Sequence, residues 1–267
     1  MHPSVDPSEI LMNDRSRRIL ITGAGSGIGA GIADQLAAAG HDLLLTDCNS
    51  EAASMVAAAI AQAGGRARAR PLDVTSEASV KELCQSLEAP IDVLINNAGL
   101  QHVSRLEDFP MDKWEQLIQV MLIGVARLTR ALLPGMREQG FGRIVNIGSI
   151  HSLVASAYKS AYVAAKHGLI GFSRVLALET ADQDITINTV CPTYVRTPLV
   201  EKQIADQARV HGISEDEVIE RIMLRPMPKG VFISMEELAG ICAFLISPAA
   251  RNITGQAIVV DGGWTVQ

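Results

Sequence analysis

The sequence has few cysteines, no excess of basic charge and no apolar run of membrane-spanning length, and each absence excludes a class of protein. Its cysteines, Cys48, Cys84, Cys191 and Cys242, are far apart and form neither a metal-ligand spacing nor a redox motif. We therefore expect free thiols in a reducing compartment. The N-terminus also lacks the basic-then-apolar order of a signal peptide. These features predict a cytoplasmic protein that does not enter membranes.

Charge and composition narrow the partners further. The net charge of -6 disfavours nucleic acids and anionic membranes. The alternation of Arg66, Arg68 and Arg70 predicts one polar face of a strand rather than a binding patch. An apolar content of 48% is enough to bury the core of one large α/β domain. We predict that this domain covers residues 17–267 and follows a flexible extension of residues 1–16.

A glycine-rich turn follows the first predicted strand, at residues 18–22, and precedes a predicted helix at residues 30–39. Glycines let the backbone approach a pyrophosphate closely, and the helix N-terminus offers free amide groups to the phosphates. Glycine turns alone also serve to reverse a chain, so the strand and helix on either side carry the interpretation. The predicted cofactor-binding residues of this turn are Gly23, Gly25, Ser26, Gly27, Ile28 and Gly29.

Asp47 ends the second predicted strand, at about the offset from Gly23 expected of an acid that binds an adenosine ribose. A carboxylate there accepts hydrogen bonds from the ribose hydroxyls and repels a 2′-phosphate. No Arg or Lys lies in residues 24–26 or 48–50. We therefore expect NAD rather than NADP. The alternative is that Asp47 only caps the next helix.

The ends of the next two predicted strands contribute further cofactor-binding residues. Asp73 and Val74 follow a strand predicted at residues 67–72, and we expect Asp73 beside the adenine. Asn97, Ala98 and Gly99 end a strand predicted at residues 91–95, where turn residues at the carboxyl edge line the cofactor.

The stretch around Ser149 carries the predicted catalytic residues. A short apolar strand at residues 143–147 brings Ser149 to the carboxyl edge of the sheet, where open α/β sheets bind ligands. A helix predicted from residue 157 places Tyr162 and Lys166 at positions i and i+4. Lys166 then lowers the pKa of Tyr162, while Ser149 hydrogen-bonds the same substrate oxygen. This chemistry suits interconversion of alcohols and ketones; the alternative is an ordinary Tyr–Lys pair on a helix.

Taken in order, the motifs Thr22–Gly29, Asn96–Gly99, Ser149, Tyr162 and Lys166 resemble those of the short-chain dehydrogenase/reductase family. The resemblance implies a single-domain, Rossmann-like α/β fold. Its sheet is expected to be doubly wound and mostly parallel, with seven strands. The resemblance also implies NAD(P)(H)-dependent catalysis without a metal, a helical substrate lid at about residues 198–228, and commonly a homotetramer. By the same resemblance, the nicotinamide-binding residues are Pro192, Val195 and Thr197, together with Tyr162 and Lys166.

The sequence departs from the usual family residues at two positions near these motifs, Met121 and Thr193. Met121 stands where the family usually has an Asn that supports a water on the catalytic lysine and completes a proton relay. Met cannot do this, so either another group or a water carries the relay, or the activity is weakened or altered. Thr193 follows Pro192 where the family usually has Gly.

Within the family, the sequence resembles bacterial D-3-hydroxybutyrate dehydrogenases, through segments such as Gln101-His102 and the run from Lys159 to Gly168. This resemblance implies that Gln101, His151, Lys159 and Gln203 bind the carboxylate of a short 3-oxo acid, beside Ser149 and Tyr162. Tyr194 stands where those enzymes usually have Trp, so the wall of the pocket differs.

The sequence therefore predicts an NAD-dependent oxidoreductase that interconverts (R)-3-hydroxybutyrate and acetoacetate. Two alternatives remain open at this point. One is the same chemistry on another short hydroxy acid, an uncharged ketone or a secondary alcohol, and the other is a non-catalytic NAD-binding regulator.

Overall fold

A computed structural model of the chain describes residues 16–266. The predicted N-terminal extension lies outside these residues except for Ser16. The centre of the fold is a seven-stranded sheet in the order β3-β2-β1-β4-β5-β6-β7, and every pair of neighbouring strands is parallel. The strands are β1 Arg18–Thr22, β2 Asp42–Asp47, β3 Arg66–Pro71, β4 Val93–Asn96, β5 Phe141–Ile147, β6 Asp184–Pro192 and β7 Ala257–Val260. The predicted doubly wound sheet is confirmed.

Helices follow most of the strands and cover both faces of the sheet. They are α1 Gly27–Ala38, α2 Ser50–Gln62, α3 Glu77–Gln85, α4 Met111–Glu138, α5 Ser160–Glu179, α6 Pro198–His211, α7 Glu215–Glu217, which continues into the π-helical Val218–Leu224, and α8 Met235–Ile246. Short 3₁₀ turns lie at Leu106–Asp108, Ile150–Ser152, Pro248–Ala250 and Trp264–Val266.

The central strands bury both faces because successive side chains of a strand point to opposite sides. Ile19 and Ile21 of β1 belong to a core cluster with α1, α2 and α8, whereas Leu20 between them belongs to a second cluster with α3, α4 and α5. Strand β3 is an edge that pairs only with β2, and Arg66, Arg68 and Arg70 lie on its exposed positions. The predicted polar strand face is therefore confirmed.

Helix α4 contains a π-turn at Gln119–Ile123. Its 28 residues and a mean hydropathy of 1.5 over its most apolar window are enough, by length and composition, to cross a membrane. The expectation that no segment reaches that length is thus wrong by this measure. Core helices of globular domains meet the same criteria, and Leu128, Leu132 and Met136 of α4 pack into the second core cluster.

The π-turn shifts α4 against the end of the sheet. The Gly124 N–H reaches back five residues to the Gln119 carbonyl. A Cβ atom at Gly124 would lie 2.9 Å from Cγ2 of Val74, so glycine permits this close passage. The turn places Met121, which is buried, beside the residues that follow β4.

Candidate active site

The glycine turn between β1 and α1 is fixed by hydrogen bonds from the end of β4. Nδ2 of Asn97 donates to the carbonyls of Thr22 and Gly23, at 3.0 and 2.9 Å, and the Thr22 hydroxyl accepts from the amides of Asn97 and Ala98. Gly23 has a φ of 63°, a conformation that favours glycine. A Cβ atom at Gly29 would collide with the Gly23 carbonyl oxygen, so both glycines are required for this turn.

The Asp47 carboxylate lies directly beside the glycine turn. It accepts hydrogen bonds from the amides of Gly25 at 3.0 Å and Asn49 at 2.9 Å. A Cβ atom at Gly25 would lie 2.9 Å from Asp47 Oδ2. Helix α2 is capped by Asn49, whose side chain accepts from the amide of Ala52. The alternative that Asp47 serves as the cap of this helix is therefore wrong.

A cavity of about 920 Å³ runs along the carboxyl edge of the sheet from Asp47 to Lys166. Most of the predicted cofactor-binding residues line it: Gly23, Ser26, Gly27, Ile28, Asp47, Asp73, Val74, Asn97, Ala98, Gly99, Tyr162, Lys166 and Thr197. Gly25 and Gly29 do not line the cavity, and the absence of a Cβ atom at each permits close packing within the turn. Sequence reasoning missed Cys48, Gln116 and Gln119, which also line it and carry no motif signal.

Ser149, Tyr162 and Lys166 meet where β5 ends and α5 begins. Nζ of Lys166 donates to the carbonyl of Ile147 at 2.6 Å and lies 5.6 Å from the ring centroid of Tyr162. Burial lowers the pKa of Lys166 to about 8. Burial raises the pKa of Tyr162, and its interaction with the Ser149 hydroxyl opposes this only in part. The net shift of the Tyr162 pKa in this structure is therefore upward, because burial dominates, where the sequence predicts a lowering by Lys166.

A second, smaller cavity of about 90 Å³ adjoins the first. Tyr162 and Thr197 line both cavities, so the two spaces meet at the phenol. All the predicted substrate residues line the smaller one: Gln101, Ser149, His151, Lys159, Tyr162, Tyr194 and Gln203. Pro192 and Val195, predicted to contact the nicotinamide, line this cavity rather than the larger one.

Lys159 is a buried cation at the end of the small cavity, only 5% exposed. Its Nζ lies 3.4 Å from Nε2 of His151 and 5.5 Å from the ring centroid of Tyr194. Burial lowers the pKa of Lys159 to about 8. Among residues 16–266, Lys159 forms no salt bridge with a carboxylate. Buried charges in proteins are normally paired, so this ammonium lacks the partner it would be expected to have.

His151 supports the same end of the cavity as a neutral ring. Burial, with a further contribution from the Lys159 charge, lowers its pKa to about 3. The Lys159 ammonium can only donate, so Nε2 of His151 accepts and the ring proton resides on Nδ1. Nδ1 is buried and has no hydrogen-bond partner within residues 16–266. The imidazole thus holds a donor ready for a ligand.

The segment before α5 differs from the prediction. The helix begins at Ser160 rather than at residue 157, because Tyr158 adopts a left-handed φ of 69°. The Tyr158 carbonyl accepts from the amide of Ser104 at 3.0 Å, which anchors this turn to the loop after β4. Lys159 consequently lies before the first turn of the helix, and its side chain is buried.

Helices α6 and α7 lie within the segment that the resemblance predicts to be a substrate lid. Thr197 caps α6 through the amide of Val200, and Ser214 with Glu217 forms a capping box at α7. Ser234 and Glu237 form a second capping box, at α8. The inner face of α6 packs with Tyr194 and α7, and Gln203 on that face lines the small cavity.

Trp264 closes the other side of this region. Its ring centroid lies 6.2 Å from that of His151 and 6.3 Å from that of Tyr194. Trp264 therefore packs against two residues of the small cavity.

Comparisons with known proteins agree with this architecture. A family model described as Enoyl-(Acyl carrier protein) reductase matches residues 23–265. The chain belongs to the short-chain dehydrogenase/reductase family, as its motifs predict, and it is an oxidoreductase of that family.

Individual relatives are similar over nearly the whole chain. D-beta-hydroxybutyrate dehydrogenase of Rhizobium meliloti is 41% identical and covers 94% of this chain and 100% of its own length. The protein of that name from Cupriavidus necator is also 41% identical, over 93% of this chain and 97% of its own. Among solved structures, an actinorhodin polyketide ketoreductase with NADPH superposes with a TM-score of 0.89 at 34% identity, covering 94% of this chain and 98% of its own.

Proposed function

We propose that this protein is an NAD-dependent dehydrogenase that interconverts (R)-3-hydroxybutyrate and acetoacetate. The observation that carries the proposal is the buried, unpaired ammonium of Lys159 in the same small cavity as Ser149 and Tyr162. A buried cation without a counter-ion is costly, and an anionic substrate supplies the missing charge. A substrate that reaches both Lys159 and Tyr162 in a cavity of about 90 Å³ must be short.

The carboxylate recognition follows from the donors around Lys159. One cavity is lined by four hydrogen-bond donors: the Lys159 ammonium, the Nδ1–H of His151, and the side-chain amides of Gln101 and Gln203. Charge-assisted hydrogen bonds to a carboxylate are roughly twice as strong as neutral ones. In this proposal these groups hold the acid so that its third carbon lies between Ser149 and Tyr162.

Tyr162 performs the acid-base step. As a neutral phenol it donates a proton to the ketone oxygen in the reductive direction, and the Ser149 hydroxyl hydrogen-bonds the same oxygen. In the oxidative direction the Tyr162 phenolate takes the proton from the alcohol. Lys166, held by the carbonyl of Ile147, stabilises that phenolate and binds the nicotinamide ribose. The bound nicotinamide accepts or supplies the hydride.

NAD is proposed because of the setting of Asp47. Its carboxylate faces the cofactor cavity, where it accepts hydrogen bonds from ribose hydroxyls and repels a 2′-phosphate. Among the described residues that line this cavity, the only cation is Lys166, which lies beside Tyr162. The actinorhodin ketoreductase structure is described with NADPH, so the two cofactors must be compared directly.

The names of two relatives, D-beta-hydroxybutyrate dehydrogenase, support the choice of acid and enantiomer. The family resemblance further leads us to propose a cytoplasmic homotetramer assembled through α4 and α5. Apolar side chains exposed on these helices, Ile123, Val175 and Leu178, agree with a surface that another subunit covers.

The test is NADH formation by the purified protein with each enantiomer of 3-hydroxybutyrate, with NADP and an uncharged secondary alcohol in parallel. We expect reduction of NAD with the R acid and much slower reaction with the S acid, NADP or the alcohol. Turnover of the uncharged alcohol without turnover of the acid would retain the oxidoreductase and reject the proposed substrate.

A further inference from the structure

The hydroxyl of Thr193 is an unexplained polar group in the small cavity. Its Oγ1 is buried and has no hydrogen-bond partner within residues 16–266. Buried hydroxyls in native proteins are nearly always hydrogen-bonded, and Thr commonly bonds a nearby backbone group when nothing else is available. Thr193 does neither, although it lines the same cavity as Ser149 and Tyr162. A group that enters this cavity is therefore the expected partner.

The backbone on both sides holds Thr193 in a fixed position. Its own amide donates to the carbonyl of Val260 at 3.0 Å, and the carbonyl of Tyr194 accepts from the amide of Ile233 at 3.0 Å. Thr is β-branched and therefore stiff about χ1. The hydroxyl is consequently pre-positioned, and a ligand atom that meets it gains a hydrogen bond at little cost in side-chain entropy.

The other polar groups of the cavity already have roles in the proposed reaction. Lys159 and His151 serve the carboxylate, while Ser149 and Tyr162 serve the reacting oxygen. A neutral hydroxyl both donates and accepts, so it suits a hydroxyl or carbonyl oxygen rather than a second charged group. 3-Hydroxybutyrate has no third oxygen-bearing carbon for Thr193 to bind.

We propose that Thr193 is a specificity-determining residue, and that the pocket takes short 3-hydroxy acids that carry one further hydroxyl group on the chain. This inference rests on the proposed function, because it assumes that the carboxylate and the carbinol occupy the two sets of residues named above. The third oxygen of the substrate then replaces the missing hydrogen-bond partner of Thr193.

The test compares kcat/KM for (R)-3-hydroxybutyrate with that for 3,4-dihydroxybutyrate and 2,3-dihydroxybutyrate, in the parent protein and in Thr193→Val and Thr193→Ser. Val keeps the shape and loses the hydroxyl, while Ser keeps the hydroxyl. We expect the parent to prefer one dihydroxy acid. Thr193→Val should lower kcat/KM for that acid about five- to tenfold, the effect of one net hydrogen bond, and change the unsubstituted acid about twofold or less. Thr193→Ser should retain the preference.

Several outcomes would overturn the inference and leave the proposed function standing. One is turnover of 3-hydroxybutyrate with a substrate ratio that is equal in the parent and Thr193→Val. A second is a change confined to the KM for NAD, which would assign the hydroxyl to the cofactor. A third is a fall in Tm for Thr193→Val, because a hydroxyl without a partner contributes no stability to the free protein. If the parent oxidises none of the acids, the proposed function fails, and this inference fails with it.

Discussion

The two cavities at the carboxyl edge of the sheet differ in how their polar groups are satisfied. Around the cofactor cavity, Thr22, Asn97 and Asp47 are bonded to backbone groups of the protein itself. Around the substrate cavity, the Nδ1 of His151 and the hydroxyl of Thr193 lack partners within residues 16–266. These polar groups of the first region have protein partners before any ligand arrives, whereas two polar groups of the second region have none.

This difference separates the features that the family shares from those that distinguish this chain. The cofactor cradle, which is the glycine turn between β1 and α1 with its hydrogen bonds to backbone groups, accepts only glycine or a small set of side chains. Its sequence motif is therefore easy to recognise. A pocket built from side chains changes with single substitutions, and the resemblance indicates two such changes, at Thr193 and Tyr194. The substrate is therefore to be sought in the unpaired groups, whereas the glycine turn indicates only a dinucleotide.

The largest effect is expected at Tyr162, which lines both cavities. Tyr162→Phe removes the proton donor, and kcat should fall by roughly 10²- to 10⁴-fold, the usual contribution of an acid-base group. NADH should still bind, as measured by its fluorescence, because the glycine turn and Asp47 at the other end of the cavity are unchanged.

Tyr158→Phe is the matched control for this variant. Tyr158 lies four residues earlier in the chain and packs against His211, with 6.1 Å between the ring centroids, outside both cavities. It should retain most of the parent turnover. If Tyr162→Phe kept its turnover, Tyr162 would not be the acid-base group of the reaction.

The sequence allowed most of the cofactor side to be predicted, because its signals are local. A buried strand, a glycine turn and a helix follow one another within residues 18–38, and each has its own pattern. The sequence could not show which of Asp47 and Asn49 caps α2, since either residue type caps helices well. In the structure, the Asn49 side chain accepts from the amide of Ala52, whereas the Asp47 carboxylate accepts from the amide of Gly25.

The substrate side could be predicted as a set of residues but not as a geometry. The left-handed turn at Tyr158 depends on a bond to Ser104, more than fifty positions earlier, and it moves Lys159 from a helix face to a buried position. The π-turn of α4 likewise depends on the contact between Gly124 and Val74. Such tertiary contacts leave no periodic signal in the sequence.

The next largest effect is expected at Lys159. Lys159→Met should raise KM for 3-hydroxybutyrate by about 10- to 100-fold, because a charge-assisted hydrogen bond contributes about 1.5–3 kcal/mol. Turnover of an uncharged alcohol should not change. Steady-state kinetics with the two substrates measures the difference, and Lys202→Met, at an exposed position of α6, is the control.

Lys159→Met should also leave Tm unchanged or raise it, since it removes an unpaired buried cation. A variant that unfolds early and loses activity on both substrates would show that Lys159 serves the fold rather than the acid.

The pH dependence of acid recognition follows from the same group. Burial lowers the pKa of Lys159 to about 8, so the ammonium is present at pH 7 and is lost as the pH rises through 8. The ratio of kcat/KM for the acid to that for an uncharged alcohol should therefore fall above pH 8, approaching about tenfold per pH unit. Taking the ratio cancels the titration of Lys166, which affects both substrates. In Lys159→Met the ratio should not vary with pH, and a fall that persists there would assign the titration to another group.

A smaller effect, about tenfold, is expected for cofactor preference. Asp47→Asn removes the charge that repels a 2′-phosphate, so the preference for NAD over NADP should shrink by about this factor, a difference of about 1.4 kcal/mol. Asp42→Asn is the control, since Asp42 lies at the opposite end of β2 and pairs with Arg68 at 3.2 Å. Equal use of both cofactors by the parent, or no change in Asp47→Asn, would show that the cradle does not select the cofactor through this carboxylate.

The smallest effect is expected at Met121, where the cofactor side departs from its family. Met121 lines the cofactor cavity within the π-turn, and its Sδ would lie 3.6 Å from a Cβ atom at Gly99. Met121→Asn restores an amide that can hold a water near Lys166. Turnover should rise, by less than the roughly 100-fold of a complete acid-base group, while KM for NAD and for the acid stays unchanged.

Met121→Leu keeps the position apolar and should match the parent, which makes it the control for altered packing. A buried Asn is costly unless it is hydrogen-bonded, so a lower Tm in Met121→Asn together with faster turnover would show that this chain has an apolar contact where its family has a proton relay. Turnover equal to or below that of the parent would show that the relay is not impaired by Met121. That outcome would direct the search for functional differences to the substrate side, at Thr193 and Tyr194.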